Sequence, residues 1–231
     1  MTKGILKLTL TCDTLNSMRY AIFSDVHNHM RALKVVLRHA GQQQIDNYFC
    51  LGDIGDIGAE DCVTVVREMG VPSVFGNWEV LTWHHYSPAN RQWVLDLPPM
   101  RKDGHFWLTH AAPLWPKEVN SLADLKHNRY TVPRSHLFPY LHVKSHALWR
   151  TITALSKANI SLMFHGHTHY QMGWRLIDDN QLEKMTDRTI TLHSPEIIIV
   201  GVGSVGRPED SAKPSYVIYD DEARVVEMVR V

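Results

Sequence analysis

The sequence predicts an α/β fold, because its N-terminal half alternates strand-like and helix-like segments. β-rich runs at Met18–Ser24 and about Asp46–Leu51 each lead into a loop, followed by the amphipathic segments Met30–Ala40 and Asp61–Met69. This alternation is typical of βαβ units that form a largely parallel sheet. From Gln171 onward, short strand-like runs follow one another with little helix between them, which predicts a second, more antiparallel sheet.

Each element is supported by a local pattern of residues. The first helix has Leu33, Val36 and Leu37 on one face and is ended by Gly41, since glycine disfavours helix continuation. The remaining strands follow the same reasoning, because each is a short run rich in apolar and β-branched residues. The further predicted strands are Val71–Phe75, Phe106–Thr109, Ile160–Phe164, Gln171–Ile177, Thr189–His193, Ile197–Val200, Ser215–Tyr219 and Arg224–Val229.

The chain length of 231 residues is enough for one domain with a substantial apolar core. We predict a single domain over residues 18–231, preceded by an N-terminal extension at residues 1–17 that carries no secretory signal pattern. Residues 111–157 are rich in proline, histidine and aromatics and are predicted to form a rim over the fold. The rim aromatics Trp115, Tyr130, Tyr140 and Trp149 suit the clasping of a nucleotide, although such residues more often form helix cores.

Composition narrows the classes of function. Acidic and basic residues balance at 24 each, so no overall field holds the molecule on nucleic acid or an anionic membrane, and no stable nucleic-acid complex is expected. No apolar run approaches the roughly 20 residues that span a bilayer, so no membrane association is expected. The three cysteines include no Cys-x-x-Cys pair, which favours a reducing cytoplasm. The 15 histidines fit either metal ligation or a scatter of surface residues.

Polar side chains closely follow the predicted strands, at the edge where parallel sheets carry their chemistry. Residues two apart in extended chain point the same way, so a strand end of the Asp-x-His or His-x-His type presents two ligands together. A binuclear hydrolytic centre needs oxygen and imidazole ligands around two cations roughly 3.5 to 4 Å apart. The residues that supply this set are Asp25, His27, Asp53, Asn77, His110, His167 and His169.

In this order and spacing, the motifs resemble the calcineurin-like metallophosphoesterase family, especially its small bacterial phosphodiesterase and dinucleoside polyphosphatase-like branch. The resemblance implies a four-layer α/β/β/α sandwich of two mixed β-sheets flanked by helices. The matching blocks are Asp25-Val26-His27, Gly52-Asp53-Ile54-Gly55-Asp56, Gly76-Asn77, His110, Gly166-His167-Thr168-His169 and the tail Gly201–Pro208.

The resemblance also implies roles for these residues. Asp25, His27 and His169 would hold one metal ion. Asn77, His110 and His167 would hold the other, with Asp53 bridging the two. Among these, His110, Asn77 and Asp53 are the predicted catalytic residues, and His110 would also help to bind the phosphoryl group. Manganese is the expected metal, while iron, zinc, nickel and cobalt also suit these ligands.

Three neighbouring polar residues keep two interpretations each. His29 and His165 either support the ligands from outside or are plain loop histidines. Asp56 either orients ligands or caps the following helix.

One position departs from the family pattern. Many members follow the asparagine with a histidine that is thought to protonate the leaving oxygen, whereas this chain has Trp78 and then Glu79. Indole has no proton to give at neutral pH, so Trp78 cannot be a general acid. Either the leaving group needs little protonation, or His84 or His85 supplies the proton, or catalysis is weak.

Trp78 and Asn28 are the predicted substrate-binding residues. Trp78 would either stack on a base or pack as a lid over the metals. The predicted function is hydrolysis of a phosphodiester or nucleotide phosphoanhydride, with dinucleoside polyphosphates as the sharper hypothesis, through attack by a hydroxide that bridges the two metals. The substrate would be small and nucleotide-like, and formation of homo-oligomers stays open. The alternative is a catalytically weak scaffold that binds a protein partner, although a scaffold does not need a full ligand set.

Overall fold

A computed structural model describes residues 18–127, 134–178 and 181–231. The predicted N-terminal extension at residues 1–17 therefore lies outside the described residues. The helices are α1 (Met30–Ala40), α2 (Asp61–Glu68), α3 (Asn77–Thr82), α4 (Pro88–Leu95), α5 (Leu122–His127), α6 (Arg134–Leu137) and α7 (His146–Lys157). The strands are β1 (Arg19–Phe23), β2 (Asn47–Cys50), β3 (Met100–Asp103), β4 (Phe106–Thr109), β5 (Leu162–His165), β6 (Gln171–Asp178), β7 (Gln181–Met185), β8 (Thr189–Thr191), β9 (Ile198–Val202), β10 (Ser215–Asp220) and β11 (Val225–Arg230).

The strands form two mixed sheets, as predicted. The five-stranded sheet has the order β2-β1-β10-β11-β8, and the six-stranded sheet has the order β3-β4-β5-β9-β6-β7. The pairs β1–β2, β4–β5 and β5–β9 are parallel, and the other neighbours are antiparallel.

The prediction that the strands after Gln171 form a sheet of their own is wrong. β8, β10 and β11 extend the sheet of β1, whereas β6, β7 and β9 join the sheet of β5. Pairings such as Ile22 with Val217 and Phe164 with Val200 join residues far apart in sequence. Local patterns identify strands but do not encode such pairings, because strand preference depends on non-local packing.

The predicted strand Val71–Phe75 is also wrong, because it is reduced to an isolated bridge between Cys50 and Ser73. Pro72 lies beside the bridge and has no N–H to donate to a ladder. The sequence did not predict β3 and β7, which are the two edge strands of the six-stranded sheet. Both are rich in charged and polar residues, which commonly protect sheet edges and weaken the apolar signal for a strand.

Successive side chains of each strand point to opposite faces of its sheet, and this alternation separates the layers of the fold. On β1, Ala21 and Phe23 pack with the helical layer that contains α1 and α2, while Tyr20 and Ile22 face the other sheet. The outer face of the six-stranded sheet is covered by α7, whose Leu148 packs into the same cluster as Met163, Trp174 and Ile199. These contacts make the predicted four-layer α/β/β/α sandwich. No helix in the described ranges is both long and apolar enough to cross a membrane.

Backbone hydrogen bonds tie the loops at the strand ends to one another. The amide of Asp25 donates to the carbonyl of Gly52 at 3.0 Å, and the amide of His27 donates to that of Asp53 at 2.9 Å. The amide of Gly166 donates to the carbonyl of His110 at 3.0 Å. The loops that carry the predicted ligands therefore form one connected surface at the edge of the sandwich.

Candidate metal centre

Several predicted ligands lie in the left-handed region of backbone conformation. This region costs a non-glycine residue of order 1–3 kcal/mol, and such residues cluster at functional sites where the surroundings hold them. The expectation that the ligand pairs sit in extended chain is therefore wrong, since tight turns direct their side chains inward. The φ angles are 55° at Asp25, 47° at His27, 53° at Asp53, 64° at His167 and 58° at His169.

The first cluster consists of Asp25, His27 and His169, whose ligand atoms all lie within 4.8 Å of one another. Oδ1 of Asp25 is 3.1 Å from Nε2 of His169 and 4.0 Å from Nε2 of His27. The two imidazole Nε2 atoms lie 3.2 Å apart. Asp25 is fully buried, so its carboxylate needs a cation or hydrogen-bond donors to compensate for lost hydration.

The second cluster consists of Asp53, His110 and His167, within the same 4.8 Å limit. Nε2 of His110 lies 3.4 Å from Oδ2 of Asp53 and 3.0 Å from Oδ1 of Asn77. Nε2 of His27 is 4.0 Å from the same Oδ2 of Asp53, so this carboxylate lies between the two clusters. The structure therefore brings together all the side chains that the sequence predicted as ligands.

The donor atoms fit divalent cations. Nδ1 of His110 lies 2.7 Å from the carbonyl of Leu51, which can only accept, so Nδ1 carries a proton and Nε2 of the neutral ring has a lone pair that can bind a metal ion. Metal-binding histidines in proteins are usually oriented in this way. Nε2 of His167 is buried and has no hydrogen-bond partner among the described residues. Two triads of converging nitrogen and carboxylate atoms are thus candidate metal sites.

The pKa values record the negative field of the site. Burial opposes charge on His110, but Asp53, its hydrogen bond, Asp25 and Glu79 raise the pKa of His110 to about 9. Burial lowers the pKa of His27 and, with the nearby charge of His110, lowers the pKa of His167 to about 4. The carboxylates that favour a proton on His110 would equally favour a bound cation.

Asp25 and His169 form an ion pair. Burial alone would raise the pKa of Asp25, but the hydrogen bond from His169 and the charges of the neighbouring histidines hold it well below its usual range. Burial likewise opposes charge on His169, and the bond and charge of Asp25 raise its pKa overall. Asp25 therefore remains an anion that can bind a cation across the pH range of a cell.

Glu79 is a supporting residue that the sequence reasoning missed. Its buried carboxylate accepts backbone hydrogen bonds from Asp53 and Gly76 through Oε2, at 2.8 and 2.7 Å, and from Ile54 through Oε1 at 2.8 Å. It therefore joins the loop after β2 to the start of α3. Glu79 stands three residues after Gly76, the spacing at which a glutamate reaches back to a helix N-cap, and this spacing could have identified it.

Two further contacts fix the acidic ligands. Oδ2 of Asp25 accepts from the amide of His167 at 2.9 Å, and Oδ1 of Asp53 accepts from the amide of Trp78 at 2.8 Å. In each carboxylate the other oxygen is the one nearest the histidines. A side chain at Gly76 would overlap Oδ1 of Asp53, so this close approach requires glycine.

A cavity of about 390 Å³ opens beside the clusters. Trp78 lies in its wall, with its ring edgewise to His27 at 5.5 Å between centroids and the guanidinium of Arg207 over the ring at 5.3 Å. One face of the indole is thus covered by Arg207. Tyr140 stacks on His167 at 4.5 Å. The lining residues are His27, Asp53, Asn77, Trp78, Tyr140, His142, His167, Thr168, His169, Tyr170, Arg207 and Glu209.

Asn28, His84 and His85 are not among the described residues that line this cavity. The side-chain oxygen of Asn28 accepts from the amide of Cys62 at 2.9 Å, near the start of α2. A substrate contact for Asn28 stays a prediction. His84 and His85 are exposed, with their rings tilted against each other at 4.0 Å between centroids. Because neither lines the cavity, neither is placed to donate a proton there.

The residues with two interpretations also have defined places. His29 accepts a hydrogen bond from the amide of Ala32 and caps α1, so its side chain supports this helix and not a metal ligand. His165 is fully buried, and burial lowers its pKa to about 4. Asp56 neither orients a ligand nor caps α2, because one carboxylate oxygen pairs with Arg207 and the other accepts from the amide of Ile57.

The rim aromatics divide between core and cavity. Trp115 packs against Phe75 and Phe138 in the interior, and Trp149 packs with the α7 cluster. Tyr140 alone of the predicted rim aromatics, among the described residues, lines the cavity. The prediction for Tyr130 lies outside the described residues.

The sandwich and its two candidate metal triads agree with the sequence's resemblance to calcineurin-like metallophosphoesterases. Residues 18–224 match the calcineurin-like phosphoesterase superfamily domain, and the chain belongs to that superfamily, whose members act on phosphorylated substrates with divalent metal ions.

Similar proteins match the chain over most of their length. An uncharacterized protein of Methanocaldococcus jannaschii, MJ0912, is 28% identical over 226 residues, which cover 91% of this chain and 86% of the relative. The crystal structure of a metallophosphoesterase from Sphaerobacter thermophilus superposes with a TM-score of 0.69 at 25% identity, covering 94% of this chain and 88% of that one. A hypothetical protein from Pyrococcus horikoshii, PH1004, shares the fold with a TM-score of 0.62 at 13% identity, covering 93% and 88%.

Proposed function

We propose that the protein is a phosphohydrolase that uses two divalent metal ions to cleave phosphodiester or nucleotide phosphoanhydride bonds. The observation that carries this proposal is the placement of two ligand triads, Asp25 with its histidines and Asp53 with its histidines, beside one cavity. Oδ2 of Asp53 lies within 4.0 Å of both His27 and His110, which suits a carboxylate shared between neighbouring cations.

Asp25, His27 and His169 would hold one ion, and Asn77, His110 and His167 the other, with Asp53 between them. Divalent ions in such a site supply Lewis acidity and a nucleophile from water at neutral pH. The chain itself holds His110 in one tautomer, buries Asp25 and His110, and presents the open cavity to substrate. Manganese is the metal that we propose, since hard oxygen ligands accompany the imidazoles.

The wall of the cavity favours substrates with good leaving groups. Trp78 cannot donate a proton, and the exposed His84 and His85 lie outside the cavity. A phosphoanhydride or an activated diester leaves without full protonation, whereas an alkyl phosphomonoester does not. We therefore propose nucleotide phosphoanhydrides, including dinucleoside polyphosphates, ahead of alkyl monoesters. A reducing cytoplasm is the proposed location, since Cys50 and Cys62 are buried free thiols.

The test is hydrolysis by manganese-reconstituted protein of an aryl phosphodiester, mononucleotides, cyclic nucleotides and dinucleoside polyphosphates, with products separated by chromatography. Asp53→Asn and His167→Ala should abolish turnover at matched metal loading. His193→Ala is the matched control, since it removes an exposed imidazole outside the cavity and should keep wild-type rates.

Turnover that survives in Asp53→Asn or His167→Ala would place the chemistry elsewhere. Binding of metal without hydrolysis of any of these substrates would instead favour the alternative, a scaffold that uses the fold to bind a protein partner.

A further inference from the structure

Arg207 occupies a position that the proposed metal ligands do not explain. It lies on the loop after β9 and lines the same cavity as His27, His169 and Trp78. Among the described residues that line this cavity, it is the only arginine or lysine. Its guanidinium is therefore the one permanent side-chain cation that this wall offers to an anionic substrate.

Contacts on two sides hold the guanidinium in place. Nη2 of Arg207 lies 2.6 Å from Oδ2 of Asp56, and its Cζ lies 5.3 Å from the centroid of the Trp78 ring. Cation–π contacts of this kind favour a guanidinium flat against the indole. Asp56 is fixed in turn, because its other oxygen accepts from the amide of Ile57 at 2.7 Å.

The backbone of Arg207 is bound to the loop of the first metal triad. Its amide donates to Oγ of Ser204 at 2.8 Å, and that hydroxyl donates to the carbonyl of Asp25 at 2.8 Å. The amide of Gly206 donates to the same carbonyl at 2.9 Å. A Cβ on Gly206 would overlap the carbonyl of Val26, so the two loops are in close contact. The backbone of Arg207 is thus fixed to the segment that carries Asp25.

Stability does not account for this arrangement. The side chains of Arg207 and Asp56 are 46% and 25% exposed, and ion pairs at such exposure contribute about 0 to 1 kcal/mol. A guanidinium has five N–H donors, and the Asp56 contact occupies one nitrogen. The remaining donors suit phosphate oxygens, which arginine binds with two parallel hydrogen bonds.

We propose that Arg207 binds a second phosphate group of the substrate, next to the phosphoryl group at the metal centre, and so selects phosphoanhydrides over diesters whose leaving group is uncharged. This inference rests on the proposed function and names the residue that sets its substrate class. It also fits the missing proton donor at Trp78, because the leaving phosphate of an anhydride needs charge neutralisation more than protonation.

The first test compares kcat/KM for a dinucleoside polyphosphate and for an aryl phosphodiester in manganese-loaded protein. Arg207→Met should lower the ratio of anhydride to diester activity by about 10- to 100-fold, as expected for the loss of hydrogen bonds to a charged group. Arg207→Lys should restore part of the ratio, because lysine keeps the charge but not the two-pronged geometry. Asp56→Asn should lower the ratio less than Arg207→Met, through loss of positioning.

The control is Arg188→Met, which removes one positive charge from an exposed residue that lines a separate cavity. This variant should keep the wild-type ratio. A binding measurement provides a second readout, with methylenediphosphonate and methylphosphonate as non-hydrolysable probes in calorimetry. Arg207→Met should weaken binding of the diphosphonate at least tenfold more than binding of the monophosphonate.

Equal losses on both substrates and both probes in Arg207→Met would overturn the inference while leaving the phosphohydrolase proposal intact. A wild-type protein that hydrolyses neither substrate would refute the proposed function, and in that case a preserved preference for the diphosphonate would still support binding by Arg207. A ratio that falls as far in Arg188→Met as in Arg207→Met would reduce the effect to net charge and also overturn the inference.

Discussion

Replacing Glu79 tests how the loops that carry the candidate metal ligands are held in place. Its carboxylate is fully buried and accepts three backbone N–H groups, from Asp53, Ile54 and Gly76. Replacement by glutamine keeps one acceptor oxygen and puts an amide N–H₂ where the other oxygen was. If the oxygen stays on the side of Asp53 and Gly76, the N–H of Ile54 faces another donor. The variant Glu79→Gln therefore loses at least one charge-assisted hydrogen bond inside the protein.

The magnitude follows from two opposing effects. A hydrogen bond to a charged group contributes about 1.5–3 kcal/mol to the free energy of unfolding. Burial, followed by repulsion from Asp53, raises the pKa of Glu79, so the neutral amide recovers part of this loss by avoiding a buried charge. A net destabilisation of about 1–2 kcal/mol corresponds to a Tm decrease of roughly 2–8 °C for a chain of this size. Loosening of the Asp53 loop should also weaken metal affinity about tenfold or more.

Thermal unfolding and calorimetric titration with Mn²⁺ measure both effects. Glu68→Gln is the matched control, because the Glu68 side chain is 65% exposed and its hydrogen-bond partner among the described residues is Arg67. It should change Tm by less than about 1 °C, as surface substitutions usually do. A Glu79→Gln protein with unchanged Tm and unchanged metal affinity would refute the reasoning that this carboxylate positions the ligand loops.

Three further predictions concern the same centre. Metal-free protein should be most stable near pH 6.5. Burial lowers the pKa of His165 and His167 to about 4, so stability is lost as pH falls from 6.5 to 4. Carboxylates outweigh burial and raise the pKa of His110 to about 9, so stability is also lost as pH rises from 6.5 to 9. A Tm that rises steadily from pH 5 to 9 would contradict this. Mn²⁺ at 100 times its Kd should add about 2.7 kcal/mol to the free energy of unfolding and raise Tm by roughly 5–10 °C. His167→Ala should reduce this shift, and an equal shift in both proteins would argue against the site. Gly76→Ala should weaken metal binding at least tenfold, because its Cβ would displace the Asp53 carboxylate, and calorimetry showing wild-type affinity would disprove this contact.

The clustering of the predicted ligands could be foreseen from the sequence, because residue types suited to metal binding follow the strands. Asp25 and Asp53 follow the apolar strands β1 and β2 of one sheet, and His110 follows β4 of the other, so their convergence required only that these strand ends lie on the same side of the sandwich. The way in which they converge was not predictable. Left-handed turns at Asp25 and His27, rather than an extended pair, direct the side chains, and such backbone geometry depends on tertiary contacts with Asp53 and Gly52.

Local sequence patterns could not predict which sheet each strand joins or which residues support the candidate ligands. The pairing of β1 with β10 joins residues about 200 positions apart, and nothing in either run of residues selects that partner. The polar edge strands β3 and β7 lack the apolar alternation on which strand prediction depends. The sequence assigned no role to Arg207 and did not predict its pairing with Asp56, since only the fold brings the two together.

Anomalous diffraction from crystals of the manganese-loaded protein tests whether these loops bind two cations side by side. We expect two peaks about 3.5–4 Å apart, one beside Asp25, His27 and His169 and the other beside Asn77, His110 and His167, with Asp53 next to both. A single peak, or peaks away from these side chains, would contradict this expectation.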